Sequence, residues 1–303
     1  MDSQEMSRRI REANGFIAAL DQSGGSTPKA LAGYGVAPGS WADDAGMFEL
    51  IHRMRCRIIA SPAFNGDKVL GAILFERTMD GSVDGKSVPQ ALIDRGVIPF
   101  LKVDQGLEEE RDGVQLMKPI AGLEPLLARA KDLGVFGTKM RSVIKAANRP
   151  GIARIVAQQI EIGRQISAAG LMPILEPEYD IGAGDRATGE AILLDELTQA
   201  LADLPGGEQV MLKLSIPARP NQYSDLVRHP AIARVVALSG GYSRAQACVE
   251  LARNEGMIAS FSRALLSDLR ATMDDEEFDK VLGQAIDEIC RASTVKTAAQ
   301  GSP

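Results

Sequence analysis

The stretch Val-Met-Leu-Lys-Leu-Ser (210–215) is a short apolar run with a lysine, Lys213, near its centre. A continuous apolar run of this length is typical of a strand that is buried on both faces of a parallel sheet. Lysine is almost never fully buried in a soluble protein unless it is paired. Burial disfavours the ammonium form of an amine and favours the neutral form, which is a nucleophile. The stretch therefore predicts a core strand that carries a reactive amine.

Seven other short apolar runs lie along the chain, and longer amphipathic segments separate them. The runs cover residues 16–20, 69–75, 97–103, 135–140, 172–177, 234–239 and 257–261. Helix-like segments lie at residues 43–57, 151–169, 185–203 and 243–255. Buried strands that alternate with helices, eight of them in a chain of 303 residues, favour a closed barrel over an open sheet. The sequence therefore predicts the α/β class, with residues 1–303 forming a single (β/α)8 TIM barrel.

The last part of the chain has a pattern of its own. Residues 273–291 have the amphipathic pattern of a final helix, and residues 292–303 are small and polar. Terminal segments with few apolar side chains are poorly ordered unless they dock on the domain. We therefore expect residues 292–303 to form a frayed C-terminal tail.

The composition argues against several classes of protein. The formal net charge is −6, so we expect no nucleic-acid partner. No uncharged apolar stretch reaches about 18 residues, and the N-terminus lacks the apolar core of a secretory signal, so we expect no membrane partner. Cys56, Cys248 and Cys290 are odd in number and far apart, which predicts a reducing, cytoplasmic location. His52 and His229 have no second ligand nearby, so no metal site is expected. The sequence leaves the oligomeric state open.

Polar residues stand at the ends of most of the predicted strands. In a (β/α)8 barrel these ends meet on one face, where the chemistry of such folds lies. Lys102 and Lys139 repeat the placement of Lys213, and like charges brought close together favour the neutral amine further. Schiff-base chemistry on a carbonyl substrate requires such an amine. The strand-end set consists of Asp21, Lys102, Lys139, Arg141, Glu176, Glu178, Lys213, Ser239, Gly240, Gly241, Ser262 and Arg263.

Segments at three of the strand ends predict phosphate sites. Leu-Ser-Gly-Gly-Tyr-Ser-Arg (238–244) follows the seventh run and precedes a helix, and Phe-Ser-Arg (261–263) follows the eighth. Glycines let backbone N–H groups approach an anion, and Arg263 offers a planar fork to its oxygens. Ser-Gly-Gly-Ser (23–26), with Lys29, is a second candidate site, although a simple turn explains it equally well. Two phosphate sites on either side of a lysine nucleophile predict a bis-phosphorylated sugar as the substrate.

Individual members of the set have simpler explanations. Asp21 is compatible with the N-cap of a following turn, because Asp-Gln-Ser-Gly-Gly-Ser is typical turn chemistry. Arg141 and Glu178 are compatible with a structural ion pair across adjacent strands. Lys102 and Asp104 are compatible with mutual neutralisation.

The set as a whole also has alternative interpretations. A sugar-phosphate isomerase or epimerase needs one acid–base pair and one phosphate site, which leaves the buried lysines and the second phosphate segment unexplained. A barrel that only binds sugar phosphates or proteins has no reason to retain a reactive amine. Glu76 and Arg77, which follow the second run, are given no role in any of these interpretations.

Eight motifs along the chain resemble those of the class I fructose-bisphosphate aldolase family. The resemblance covers nearly the whole chain and is nearer to the short bacterial branch than to the longer animal enzymes. It implies a metal-independent aldehyde-lyase without cofactor that cleaves fructose 1,6-bisphosphate reversibly through a lysine Schiff base, in glycolysis and gluconeogenesis. The motifs are Ala-Ala-Leu-Asp-Gln-Ser-Gly-Gly-Ser (18–26), Ala-Ile-Leu-Phe-Glu (72–76), Phe-Leu-Lys-Val-Asp (100–104), Gly-Thr-Lys-Met-Arg (137–141), Pro-Ile-Leu-Glu-Pro-Glu (173–178), Leu-Lys-Leu (212–214), Leu-Ser-Gly-Gly (238–241) and Ser-Arg-Ala-Leu (262–265).

The resemblance also implies roles for single residues. It makes Lys213 the Schiff-base lysine and Glu176 the acid and base for carbinolamine dehydration and for the C4 hydroxyl proton. Asp21 then positions the catalytic lysine and the bond to be cleaved. The remaining members of the implied catalytic and substrate-binding set are Lys139, Arg141 and Glu178 beside the lysine, Ser239, Gly240, Gly241, Ser262 and Arg263 at the C1 phosphate, and Ser23, Ser26 and Lys102 at the C6 phosphate.

The chain departs from the family pattern at some positions within these motifs. Gln22 stands where an acidic residue is common in the animal branch, and Ser262 stands where a glycine usually precedes the phosphate-binding arginine. These departures leave the residues implied for the Schiff base unchanged.

Overall fold

All eight predicted apolar runs form strands in the computed structural model, which describes residues 1–297. Three short strands that the sequence did not predict accompany them. The strands are β1 (Phe16–Leu20), β2 (Val69–Leu74), β3 (Ser82–Val83), β4 (Lys86–Ser87), β5 (Ile98–Lys102), β6 (Val114–Gln115), β7 (Gly137–Ile144), β8 (Met172–Tyr179), β9 (Val210–Ser215), β10 (Ile232–Leu238) and β11 (Ile258–Phe261).

Eight of these strands close into a barrel. They pair in the order β5, β2, β1, β11, β10, β9, β8 and β7, and β7 pairs back to β5 with Lys102 opposite Lys139. Every one of these pairings is parallel, as strands joined by helical crossovers require. Outside the barrel, β3 and β4 form a small antiparallel hairpin and β6 pairs antiparallel to β7. The predicted (β/α)8 TIM barrel is confirmed.

Helices join the strands, and the five that the sequence predicted lie within a few residues of the expected bounds. Four of these five helices begin with a side-chain cap, as at Asp43, Asn148 and Ser243, whereas Asp185, before the helix at residues 186–202, makes no capping hydrogen bond. The helices are α1 (Ser3–Glu12), α2 (Ser26–Gly33), α3 (Asp44–Ala60), α4 (Glu76–Met79), α5 (Val88–Asp94), α6 (Leu123–Asp132), α7 (Arg149–Ala168), α8 (Arg186–Ala202), α9 (Ser224–Arg228), α10 (Arg244–Ala252), α11 (Arg263–Leu266) and α12 (Asp275–Thr294).

The last helix continues beyond the point where the sequence predicted fraying. Ala292 and Ser293 are buried, and the hydroxyl of Ser293 accepts a hydrogen bond from the backbone N–H of Ala259 in β11 at 3.0 Å. This contact holds the last turn of α12 on the barrel, so the expected tail does not begin at residue 292. Residues 298–303 of the expected tail lie outside the described part of the chain.

Alternation along β9 explains why Lys213 lies inside the barrel. Successive side chains of a strand point to opposite faces. Met211 belongs to the apolar cluster that fills the barrel, whereas Leu212 and Leu214 pack in the cluster between strands and helices. Lys213 follows Met211 by two residues and therefore also points inward, nearer to the carboxyl end of the barrel.

Strands β7 and β8 are longer than the sequence predicted. They run to Ile144 and Tyr179, and their pairing places Arg141 beside Glu176. The polar side chains of Arg141 and Glu178 interrupt the apolar pattern, yet both residues lie in paired strands. The two strands therefore carry charged groups beyond the end of the apolar run.

Gly137 sets the contact between β7 and β8 two residues before Lys139. A Cβ atom at Gly137 would overlap the backbone carbonyl of Met172 and would lie 2.9 Å from the ring of Phe100. We expect Gly137→Ala to lower the free energy of unfolding by about 1–3 kcal/mol, because the strands must separate to admit the methyl group. Urea unfolding followed by circular dichroism measures the change.

Gly33 provides the matched control for that variant. It is exposed at the end of α2, and a Cβ atom there would meet no heavy atom within 4 Å. Gly33→Ala is expected to change the free energy of unfolding by less than about 1 kcal/mol, in the stabilising direction. Equal effects of the two substitutions would contradict the steric argument for Gly137.

Candidate active site

A cavity of about 940 Å³ opens at the carboxyl ends of the barrel strands. Its position agrees with the general location of active sites in this fold. Most of the residues predicted from the sequence line it, whereas Glu178, Ser239, Gly240 and Gly241 do not. The predicted residues that line the cavity are Asp21, Ser23, Ser26, Lys102, Lys139, Arg141, Glu176, Lys213, Ser262 and Arg263.

Lys139 lies at the centre of a cluster of buried charges. Its Nζ atom lies 2.7 Å from Asp21 Oδ2, 3.0 Å from Glu176 Oε2 and 3.8 Å from Asp104 Oδ2. Residues of four different strands or strand ends thus converge on one ammonium group. The N-cap interpretation of Asp21 is wrong, because α2 begins after Gly25 without a side-chain cap and Asp21 pairs with Lys139 instead.

The pKa of Lys139 is raised, which differs from the expectation for clustered lysines. Burial lowers the pKa of its amine, but Asp21, Glu176 and Asp104 together raise it well above its usual value. In the same way, burial raises the pKa of the Asp21 carboxyl, but Lys139 and Lys213 bring it well below the usual range. Like charges alone would lower the pKa of Lys139, but the fold places a carboxylate between each pair of neighbouring lysines. Lys139 is therefore a permanent cation and does not serve as a second nucleophile.

Glu176 lies between two lysines and touches both. Its Oε1 atom is 3.1 Å from Lys213 Nζ, and its Oε2 atom faces Lys139. Burial alone would raise the pKa of this carboxyl, but the charges of Lys139 and Lys213 lower it. Glu176 is thus an ionised carboxylate within proton-transfer distance of the buried amine of Lys213.

Two ion pairs considered from the sequence are present. Lys102 Nζ donates to Oδ1 and to the backbone carbonyl of Asp104, both at 2.6 Å. Arg141 donates through Nε to Glu178 Oε2. Glu178 therefore serves as the partner of Arg141 outside the cavity wall, whereas Lys102 and Arg141 themselves line the cavity.

The segments for which phosphate binding is predicted form tight turns. Gly240 and Gly241 have φ values of 63° and 126°, a region that favours glycine. A Cβ atom at Gly241 would lie 4.0 Å from Arg263 Nη2, so the glycine turn and the arginine are neighbours. After β1, the backbone N–H of Ser23 donates to Ser26 Oγ at 2.9 Å, which closes a tight turn at the cavity wall.

A buried arginine that the sequence did not single out supports the end of β1. Arg55 of α3 is fully buried and donates to the backbone carbonyl and the side-chain oxygen of Gln22 and, at 2.7 Å, to Thr78 Oγ1. Burial lowers the pKa of its guanidinium to about 10. Gln22 donates in turn to Ser262 Oγ at 2.7 Å. Gln22 and Ser262, two of the positions that depart from the family motifs, therefore contact each other and tie the end of β1 to the end of β11.

The helical periodicity of α3 could have indicated that Arg55 is buried. It falls among the residues that α3 buries against the barrel, at a position where the apolar pattern calls for a hydrophobic side chain. Glu76, which received no role from the sequence, also lines the cavity and pairs with Arg129. The buried residues of α3 are Met47, Ile51, Met54, Arg55, Ile58 and Ile59.

The geometry can support covalent chemistry on a carbonyl group. Lys213 supplies an amine that is shielded from water, and Glu176 lies in position to take and return its proton. Arg141 and Arg263 line the same cavity, so an anionic substrate is favoured. The fold and the site together define a (β/α)8 barrel with a lysine-centred cavity.

A comparison of the sequence with protein families places this barrel in a family. The model for glycolytic fructose-bisphosphate aldolase class-I matches residues 8–197. The chain therefore belongs to the class I fructose-bisphosphate aldolase family. The matched segment contains Asp21, Lys139 and Glu176 and ends before Lys213.

Solved structures share the fold of the whole chain. The fructose-bisphosphate aldolase of Plasmodium falciparum, solved in a ternary complex with TRAP and a small-molecule inhibitor, matches with a TM-score of 0.79 at 21% identity. That match covers 99% of this chain and 95% of the Plasmodium chain. A protein of Corynebacterium glutamicum matches with a TM-score of 0.52 at 14% identity, over 96% of this chain and 92% of the other. Similarity at these identities shows a common fold.

Three further findings concern the remaining predictions. None of the helices in residues 1–297 is long and apolar enough to cross a membrane. Over that same part of the chain, no group of three or more His, Cys, Asp or Glu side chains is placed to hold a metal ion. Cys56, Cys248 and Cys290 are all free.

Removal of the Lys139 ammonium group tests the charge cluster. Asp21 and Glu176, whose ordinary pKa values are 3.8 and 4.5, have lowered values in the folded protein, so their contribution to stability is present above these values and is lost as the pH falls. We expect Lys139→Met to lower the free energy of unfolding by about 3 kcal/mol at pH 7, because two buried carboxylates lose their partner. The deficit should shrink towards pH 4, where the carboxyls of the variant are protonated. Urea unfolding at several pH values measures both effects.

Lys145 is the matched control, because it pairs with Glu110 at 2.8 Å on the surface. Lys145→Met should change the free energy of unfolding by less than about 1 kcal/mol at either pH. If the deficit of Lys139→Met is the same at pH 7 and at pH 4, its cause is lost packing and the charge argument is wrong.

Proposed function

We propose that the protein is a class I fructose-bisphosphate aldolase, which reversibly cleaves fructose 1,6-bisphosphate to dihydroxyacetone phosphate and glyceraldehyde 3-phosphate. The observation that carries the proposal is the buried amine of Lys213, which lies 3.1 Å from Glu176 on the wall of the cavity. Membership of the class I family supports this reaction. The covalent intermediate is a Schiff base on Lys213.

Lys213 begins the reaction as the nucleophile. Glu176 takes a proton from the amine, and the neutral nitrogen attacks the C2 carbonyl carbon of the sugar. The carbinolamine formed in this step carries a hydroxyl group at C2. Glu176 returns its proton to that hydroxyl, water leaves, and a protonated imine links C2 to Lys213.

The imine cation is the electron sink for the cleavage. Glu176, again a carboxylate, removes the proton of the C4 hydroxyl, and the C3–C4 bond breaks as its electron pair moves into the imine. Glyceraldehyde 3-phosphate leaves, and an enamine remains on Lys213. Protonation at C3 followed by hydrolysis releases dihydroxyacetone phosphate and restores the amine.

Lys139 and Asp21 fix the orientation of Glu176 relative to Lys213. Because its three carboxylate neighbours keep Lys139 charged, it fixes Oε2 of Glu176 and leaves Oε1 facing Lys213. Asp21 also holds Lys139, at 2.7 Å. The general acid and base is thus oriented by a cation that takes no part in the covalent steps.

In this proposal the two phosphate groups bind at the carboxyl ends of different strands. Arg263, which lines the cavity, receives the C1 phosphate through charge-assisted hydrogen bonds from its guanidinium. The proposal extends this site to the glycine turn beside Arg263, whose residues do not line the cavity. Lys102, together with the turn that Ser23 and Ser26 form, receives the C6 phosphate. The carbonyl at C2 then lies over Lys213.

The proposal includes no metal ion and no organic cofactor, because the protonated imine supplies the electron sink. The sugar bisphosphate is the small-molecule partner, without nucleic acid or membrane. We place the activity in the cytoplasm, in glycolysis and gluconeogenesis.

Substitution of Lys213 tests the covalent step. We expect Lys213→Met to lower kcat for fructose 1,6-bisphosphate by roughly 10³-fold or more, since the nucleophile is lost. Treatment of the wild-type protein with dihydroxyacetone phosphate and borohydride should attach a stable adduct at Lys213, which mass spectrometry of the digested protein identifies. A coupled assay that oxidises NADH measures the cleavage itself.

Lys145→Met serves as the control and should retain both the activity and the adduct. Full activity of Lys213→Met would refute the Schiff-base mechanism. So would loss of wild-type activity in EDTA with recovery on addition of a divalent cation.

A further inference from the structure

Asp104 is a buried carboxylate that enters the proposed mechanism only as one of the three acidic neighbours of Lys139. It follows β5, and its side chain is 4% exposed. Oδ1 accepts a hydrogen bond from Lys102 at 2.6 Å. Oδ2 lies 3.8 Å from Lys139 Nζ and has no hydrogen-bond partner among the described residues. One carboxylate therefore lies between two lysines, bound to one and beyond hydrogen-bond distance of the other.

Asp104 is part of a row of alternating charges that ends at the nucleophile. The row starts at Lys102, passes through Asp104 and Lys139, and continues to Glu176, 3.0 Å from Lys139, and Lys213, 3.1 Å from Glu176. Each inner member of the row lies beside two neighbours of opposite charge, and Lys139 has Asp21 as a third, so the charges attract one another along the row. A change of partner at one end therefore alters the strength of the next contact.

An anion that binds Lys102 disturbs this row at Asp104. A phosphate group and Asp104 compete for the same ammonium and repel each other. Lys139 offers Asp104 an alternative cation, and the free Oδ2 atom already faces it. When Asp104 turns to Lys139, its negative charge offsets part of the attraction between this ammonium and Glu176.

We infer that Asp104 couples phosphate binding at Lys102 to the protonation of Glu176, so that the distal phosphate of the substrate promotes the acid step at Lys213. The inference rests on the function proposed above. Asp104 is a positioning residue in this scheme, because it acts on the reaction through Lys139.

The coupling has a direct chemical consequence for Glu176. Dehydration of the carbinolamine needs a protonated Glu176, yet in the structure the two lysines overcome the effect of burial and lower the pKa of this carboxyl. A weaker contact with Lys139 restores part of the effect of burial and favours the protonated form. With a sugar that carries a phosphate at C1 alone, Asp104 keeps its hydrogen bond with Lys102. Proton transfer from Glu176 to the carbinolamine then remains slow.

The test compares two substrates in the wild-type protein and in Asp104→Asn. For fructose 1,6-bisphosphate, we expect kcat to fall by about tenfold, a usual size for coupling between two sites. KM for the same substrate should not rise, since Lys102 loses a charged competitor. For fructose 1-phosphate, kcat of Asp104→Asn should stay within about twofold of the wild-type value, because this substrate places no phosphate group at Lys102. Equal losses of kcat on both substrates with a raised KM would overturn the inference.

A second measurement uses the wild-type protein and inorganic phosphate. Phosphate in solution should accelerate the cleavage of fructose 1-phosphate by occupying Lys102, and Asp104→Asn should not respond. Glu110→Gln, on the same connection between β5 and β7, alters a surface ion pair with Lys145 and should behave as wild type. Absence of acceleration at phosphate concentrations that inhibit cleavage of the bisphosphate competitively would overturn the inference.

The two proposals fail in distinguishable ways. If the wild-type protein cleaves neither sugar and forms no borohydride adduct, the proposed function is wrong. If it cleaves both and Asp104→Asn keeps the wild-type ratio of the two kcat values, the coupling alone is wrong.

Discussion

The ammonium group of Lys139 is the constraint on which the site depends. A carboxylate removed from water without a partner has a free-energy cost of several kcal/mol, and it binds a proton instead of staying charged. Asp21 and Glu176 remain ionised inside the barrel because Lys139 contacts them at 2.7 and 3.0 Å. Because Oε2 of Glu176 is held in this way, Oε1 is left for Lys213. The order of the charges, more than their number, prepares one lysine for chemistry and keeps the other as a fixed cation.

The barrel and the location of the site follow from simple sequence patterns. Eight apolar runs separated by helices specify parallel strands, and parallel strands place their carboxyl ends on one face. Lys213 and Glu176 therefore lie on the same face of the barrel. The choice of partners does not follow from these patterns. Whether Glu176 pairs with Lys139 or Arg141 depends on the strand register and on side-chain rotamers, which are set by the packing of the whole barrel. For the same reason the raised pKa of Lys139 was not foreseen.

The supporting residues were missed for a different physical reason. Arg55 interrupts the apolar face of α3, and its burial becomes intelligible only when the carbonyl group of Gln22 is placed beside its guanidinium. The contact of Gln22 with Ser262 joins residues 240 positions apart, so local sequence patterns cannot predict it. Two of the departures from the family motifs are thus joined by one hydrogen bond, which links the end of the first barrel strand to the end of the last.

The charge cluster also has a consequence for how the chain folds. Its acids and amines come from β5, β7, β8 and β9 and from the residue that follows β1, so their charges balance only when these strands have come together around the barrel. A half-formed barrel that expels water from its interior would hold Asp21 and Lys102 without Lys139 between them. Such an intermediate is penalised by the desolvation of unpaired ions, whereas the closed ring is not. The arrangement that prepares the amine for catalysis therefore also disfavours partly closed barrels and makes the closure of this barrel more nearly all-or-none.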